Sequence, residues 1–347
     1  MTLNYPARLL ATAAFAVLPF LGSAASLTAG IHSYSTDTVP MTDTLGTFVP
    51  ACALGNESFA GVSEILLYPQ GQDVDMGIVE NGTAVTLGPG CSNGFTQPEE
   101  VNEWGNVSHV GDRARIQLFF PEHPNGQMVV VCPGGGYSTV CATKEGYDVA
   151  KWMTRKGISV CVVVYRLPNG RTQAPLTDVQ NAFRYCRAHA QDWGVSQIGV
   201  MGFSAGGHLA AMASNLFVDE ITRPDFSVLI YPVIDLRDHE GTCLSLVGED
   251  AARREEYSMQ HRVSARTPRT FMALSQNDKV VAIRSSLDYF DALKAAGVCP
   301  EMYIFPTGGH GYGFLQEEKG GRKDAIGPDY RPLFMECLSC FLENVKK

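Results

Sequence analysis

At 347 residues the chain is long enough to bury a sizeable core as one large α/β domain with an N-terminal addition. With 45% hydrophobic and 18% charged residues, it lacks the composition of a disordered chain. The formal net charge is −9, and no run of Lys or Arg is long enough to follow a phosphate backbone, which excludes nucleic acid as an expected partner.

The first stretch, 1–25, reads as a signal peptide. Arg8 precedes an apolar run over 9–21, and the small residues Gly22-Ser23-Ala24-Ala25-Ser26 follow, with cleavage expected after Ala24 or Ala25. An apolar run of about 13 residues is short for a bilayer span, and no later segment is long and apolar enough. The expected localisation is therefore secreted or periplasmic, with no membrane association after signal removal. Residues 26–113, rich in Gly, Thr, Ser and Pro, read as an irregular N-terminal extension with short strands such as 64–68. Asn56, Asn81 and Asn106 begin glycosylation sequons.

Ten cysteines are spread along the chain. Cys52 and Cys91 could pair after export, but a pairing cannot be deduced from sequence. Cys132 and Cys161 fall inside expected core strands, where a thiol acts as a small hydrophobe. Cys337 and Cys340 form a lone C-x-x-C on the last helix. A zinc site would need a second pair, so packing is the expected role and no metal is assigned.

From 114 to 347 strands and helices alternate. Strands are expected at 114–120, 127–132, 158–165, the run from 198, 226–231, 270–275 and 301–305. Helices are expected at 145–156, 176–190, the run after 204, 281–296 and 332–345, and the polar stretch 235–269 reads as irregular. This alternation predicts a mostly parallel sheet with helices on both faces, whose ligands bind beyond the carboxyl ends of the strands.

The segment IGVMGFSAGGHLAAM, 198–212, is a short apolar strand, a turn and a helix. Glycine fills 35 of 347 positions, so a bare Gly-x-Ser-x-Gly arises by chance in roughly one such chain in several. The strand before and the helix after are what make Ser204 the expected nucleophile. Just past the strand ending at Cys132, Gly134-Gly135-Gly136 leaves backbone N–H groups uncovered. Together with the Ala205 N–H, they suit the oxygen that turns negative when an ester carbonyl is attacked. Serine needs a base, itself oriented by a carboxylate. Of eight histidines, His310 directly follows a strand end, whereas His208 lies one helical turn past Ser204 and is expected to pack. Asp278 and Asp235 both follow strand ends in the order Ser, Asp, His. Asp278 is favoured because its loop is short and adjoins that of His310, and Asp235 is the alternative.

The segments VVVCPGGGY, GFSAGGHLA, NDKVV and GGHGYG resemble the α/β-hydrolase superfamily, and within it bacterial carbohydrate esterases of the acetylxylan-esterase and feruloyl-esterase-like group. The resemblance runs from about residue 114 to the C-terminus. It implies an α/β-hydrolase fold, a triad of Ser204, Asp278 and His310, an oxyanion hole of Gly135, Gly136 and Ala205, and no cofactor. Cys132-Pro133 stands where many relatives carry a histidine before the glycines, which sets the chain apart from the hormone-sensitive-lipase branch. The implied activity is serine esterase action on a small ester or acetylated saccharide. A peptidase of the prolyl-oligopeptidase type would use the same triad but usually carries a large filtering domain. A non-catalytic binding protein on the same fold would be expected to lack a triad member.

Overall fold

The computed structural model describes residues 61–67, 79–80, 83–84, 99–110, 114–168, 170–314 and 328–346. Eight strands form one sheet: β1 (Gly61–Leu66), β2 (Arg115–Phe120), β3 (Gln127–Cys132), β4 (Ser159–Val164), β5 (Gln197–Phe203), β6 (Phe226–Ile230), β7 (Arg269–Ser275) and β8 (Glu301–Phe305). Their order across the sheet is β1-β2-β4-β3-β5-β6-β7-β8. The strands from β4 to β8 run parallel. β2 is antiparallel to both of its neighbours.

The sequences of β3 (QMVVVC) and β4 (SVCVVV) explain their central place. β-Branched residues suit a pleated surface, and a run without polar alternation is stable only where both faces are covered. Every residue of both strands is buried. The pleat then sends alternate side chains to opposite layers. Met128, Val130 and Cys132 pack with Leu176, Val179 and Phe183 of α2 (Gln173–His189) and with Leu209 and Met212 of α3 (Ser204–Asn215). Val129 and Val131 face the other layer, made by Val149 and Met153 of α1 (Asp148–Thr154) and by Phe334, Leu338 and Phe341 of α7 (Arg331–Val345).

The stretch 235–269, expected to be irregular, carries α4 (Glu240–Val247) and α5 (Ala251–Glu256). Both are too short to show an apolar period, and both are started by side-chain caps. His239 Nδ1 accepts from the Thr242 amide, and Asp250 accepts from the amides of Ala252 and Arg253. α6 (Arg284–Ala295) separates β7 from β8. The N-terminal region supplies an edge strand: β1 pairs with β2 from Gly61↔Phe120 to Leu66↔Arg115. Arg115 adds ion pairs to Glu64 at 3.1 Å and to Glu99 at 2.8 Å.

Among the described residues no helix is long and apolar enough to cross a membrane. Cys132 and Cys161 are buried free thiols, and Cys337 and Cys340 are free on α7. The expected signal peptide, the sequons at Asn56 and Asn81, and Cys52 and Cys91 lie outside the described residues.

Candidate active site

β5 ends at Phe203 in extended geometry, and α3 begins at once with Ser204, whose φ is +52°. A positive φ is costly for any residue with a Cβ, and here the packing around the turn imposes it. A Cβ on Gly202 would strike the Gly206 carbonyl, and one on Gly206 would strike the carbonyls of Cys132 and Pro133. Only glycine lets β5, α3 and the end of β3 close to this distance. The result is a serine lifted out of the sheet at the amino end of a helix.

The loop after β8 brings His310 to it. His310 Nε2 lies 2.8 Å from Ser204 Oγ, and its Nδ1 lies 2.7 Å from Asp278 Oδ2. An ionised carboxylate can only accept, so Nδ1 carries the imidazole proton and Nε2 is left to accept from the serine hydroxyl. The Asp278 side chain is 2% exposed and also accepts from the amides of Val280 at 2.8 Å and Val281 at 3.0 Å. Burial pushes the Asp278 carboxyl up. The hydrogen bonds from His310 and the two amides outweigh that and hold it below the ordinary carboxylate range. Asn277 Oδ1 adds a further tie between the two loops by accepting from the Gly309 amide at 2.9 Å.

Asp235 is engaged elsewhere. Arg237 donates to it from its amide and its guanidinium, and Gln260 and Ser258 donate at 2.6 Å and 3.2 Å. Burial opposes its ionisation, but these donors bring its pKa down to about 2.

The glycine loop lies against the serine turn, since a Cβ on Gly134 would sit 3.1 Å from Ser204 Cβ. The loop turns sharply, with φ of +127° at Gly135 and +64° at Gly136. Among the described residues no acceptor takes the amide hydrogens of Gly135 or Gly136. The Ala205 amide belongs to the first turn of α3, where the helix itself has no acceptor to offer. The carbonyls of three loop residues, in contrast, are occupied: Tyr165 OH donates to Pro133, the Cys141 amide to Gly134, and the Thr139 amide to Gly135.

Two buried side chains flank this loop: His208, expected from its place on the helix to pack, and Glu145, which no motif marks. His208, on α3, takes the Tyr137 hydroxyl at Nδ1 (3.0 Å) and reaches the Tyr257 carbonyl with Nε2 (2.7 Å). A carbonyl only accepts, so Nε2 holds the proton and Tyr137 donates to Nδ1. Glu145 sits in a single π-type turn, Thr143–Tyr147, ahead of α1. Its Oε2 accepts from the Gly134 amide at 2.7 Å and its Oε1 from Tyr231 OH at 2.9 Å. Tyr231 could have been noticed because it follows the end of β6; Glu145 bears no motif. Among the described residues no three His, Cys, Asp or Glu side chains cluster as a metal site would require.

The BD-FAE family model matches residues 116–229. Over 220 residues the chain is 37% identical to the acetylxylan esterase of Xylanibacter ruminicola, a match covering 60% of this chain and 45% of that one. The chain thus spans less than half the length of this relative. Among solved structures, the acetyl ester-xyloside bifunctional hydrolase from Caldicellulosiruptor lactoaceticus superposes with a TM-score of 0.59 at 32% identity, covering 67% of this chain and 88% of that one. MGS-M1, an alpha/beta hydrolase enzyme from a Medee basin deep-sea metagenome library, shares the fold with a TM-score of 0.56 at 23% identity, covering 71% and 95%. With its mostly parallel sheet, its strand-turn-helix serine and these relatives, the chain belongs to the α/β-hydrolase superfamily, among the carbohydrate and carboxylic esterases.

Proposed function

We propose that this chain is a serine esterase that hydrolyses short-chain carboxylic esters, with acetyl groups on plant polysaccharide or oligosaccharide as its substrate. One observation carries the reading: the continuous hydrogen-bond chain from Asp278 through His310 to Ser204, ending beside the uncommitted amides of Gly135 and Gly136. In the reaction, Ser204 Oγ attacks the ester carbonyl carbon while His310 Nε2 takes its proton. Asp278 holds Nδ1–H and stabilises the imidazolium. The negative oxygen is held by the N–H groups of Gly135, Gly136 and Ala205. As the C–O bond breaks, the alcohol takes the proton from His310. Water then cleaves the acyl-enzyme by the same route, which returns Ser204.

The acetyl and saccharide parts of the reading are supported by the names of two relatives above 30% identity, an acetylxylan esterase and an acetyl ester-xyloside hydrolase. The apolar run over 9–21 and the small residues after it support action outside the cytoplasm.

The test is hydrolysis of p-nitrophenyl esters from acetate to octanoate by wild type and Ser204→Ala, with acetate release from acetylated xylan measured in parallel. Rates highest for acetate, absent in the variant and matched by acetate freed from xylan are expected. An inactive wild type, or a variant that keeps its rate, would overturn the reading.

A further inference from the structure

The glycine loop and the histidine loop come from strands on either side of β5, and nothing in the triad itself ties one to the other. Glu145 does. Its carboxyl group is buried, with the residue 5% exposed, and each oxygen serves a different loop. Oε2 takes the amide of Gly134, the residue before the two expected oxyanion donors. Oε1 takes the hydroxyl of Tyr231, and that same hydroxyl accepts from the Gly313 amide at 3.1 Å, three residues past His310. The adjoining Lys144 donates to the Gly311 carbonyl.

Two features argue that this is more than incidental packing. Tyr231 is held at φ +37°, a conformation unfavourable for a bulky residue, and its ring packs 5.0 Å from the His310 ring. A carboxyl also costs more to bury than an apolar side chain of its size, so its retention at this depth calls for donors that need it. Burial pushes the Glu145 carboxyl above the ordinary carboxylate range, against the pull of Lys144, the Gly134 amide, Tyr231 and His310.

We propose that Glu145 is a positioning residue: by bonding Gly134 directly and Gly313 through Tyr231, it locks the glycine loop and the histidine loop at a fixed spacing. The role in turnover rests on the esterase reading above; the clasp itself does not. In an acyl transfer the base and the oxyanion donors must fit one tetrahedral centre at once, and misplacement by an ångström is costly. A residue that holds both should therefore act on kcat with little effect on KM.

The experiment compares Glu145→Ala, Glu145→Gln, Tyr231→Phe and the Glu145→Ala/Tyr231→Phe double variant, using p-nitrophenyl acetate kinetics and amide hydrogen exchange. Glu145→Ala is expected to lower kcat about 100-fold with KM within about twofold. Glu145→Gln, whose amide can accept from Gly134 and donate to Tyr231, should stay within about threefold of wild type. Tyr231→Phe should lose about tenfold, and the double variant should be no worse than Glu145→Ala, as expected for groups acting as one unit. Exchange at the hydrogen-bonded amides of the two loops, Gly134 on one side and Gly309 and Gly313 on the other, should accelerate together, about tenfold or more, in Glu145→Ala and not in Glu145→Gln. If Glu145→Ala does not fold, Tyr231→Phe alone decides by kcat and by exchange at Gly309 and Gly313. Wild-type kcat and unchanged exchange in Tyr231→Phe, or separately additive losses, would overturn the clasp. An inactive wild type overturns the esterase reading, while the exchange data still decide whether Glu145 joins the loops.

Discussion

Ser204 and His310 meet at 2.8 Å, yet the two sides of that contact are held by different means. On the serine side the turn is fixed by sterics: glycines at 202 and 206 let three backbones touch, and the buried apolar layers of β3, β5 and α3 surround them. On the histidine side β8 is the last strand of the sheet, four of its five residues are only partly buried or exposed, and His310 lies between glycines with positive φ. There, single hydrogen bonds to Asp278, Asn277 and Tyr231, and one from Lys144, do the holding. A serine set by packing can be strained, because the core enforces its geometry. A histidine set by hydrogen bonds is placed by fewer and more separable contacts.

That contrast predicts a division between effects on rate and effects on stability. Asp278→Asn keeps an acceptor for the Val280 and Val281 amides but favours the wrong imidazole tautomer. It should lower kcat about 10⁴-fold with the thermal midpoint nearly unchanged, as seen by steady-state kinetics beside a melting curve. If the midpoint falls sharply instead, the histidine side is part of the core and the contrast fails. Gly206→Ala should do the reverse. Two backbone carbonyls would have to move, so unfolding in urea should show a loss above about 4 kcal/mol, in the range reserved for core disruption. A folded, stable Gly206→Ala would break the steric account of the serine turn.

The smallest effect concerns pH. Burial in α3 lowers His208 to about 4, so the folded state resists its protonation while the unfolded chain accepts it near 6.5. Stability is therefore intact above about pH 6.5 and declines as pH falls toward 4, by roughly 3 kcal/mol at 1.36 kcal/mol per unit. His208→Gln can make both native bonds without titrating. Its unfolding free energy should fall less steeply than that of wild type across this window, and equal slopes would mean that other groups set the acid response.

Much of the fold was legible because the central strands are apolar runs bounded by glycine and proline. The observed β2 to β8 lie within a residue or so of the expected segments. The same logic located the three side chains that meet at the site, each just past a strand end. Short helices capped by His239 and Asp250 were not legible, since segments of six or eight residues are too short to carry a period. Glu145 was read as an ordinary helical residue because its partner Tyr231 lies 86 residues away in sequence, and no local pattern reports a contact of that range. His208 was expected to pack, but its tautomer depends on the Tyr257 carbonyl, which is reachable only in three dimensions.

The edge strand β1 has a practical consequence for anyone who wishes to produce the sheet-and-helix domain on its own. A chain started at residue 114, where the regular alternation begins, would lack Gly61–Leu66 and leave the backbone of β2, sequence RIQLFF, open along six residues. Arg115 and Gln117, both buried, would lose their contacts with Glu64. An unpaired aromatic and aliphatic edge of this kind recruits strands from other molecules. Soluble recombinant protein should therefore require a start upstream of Gly61.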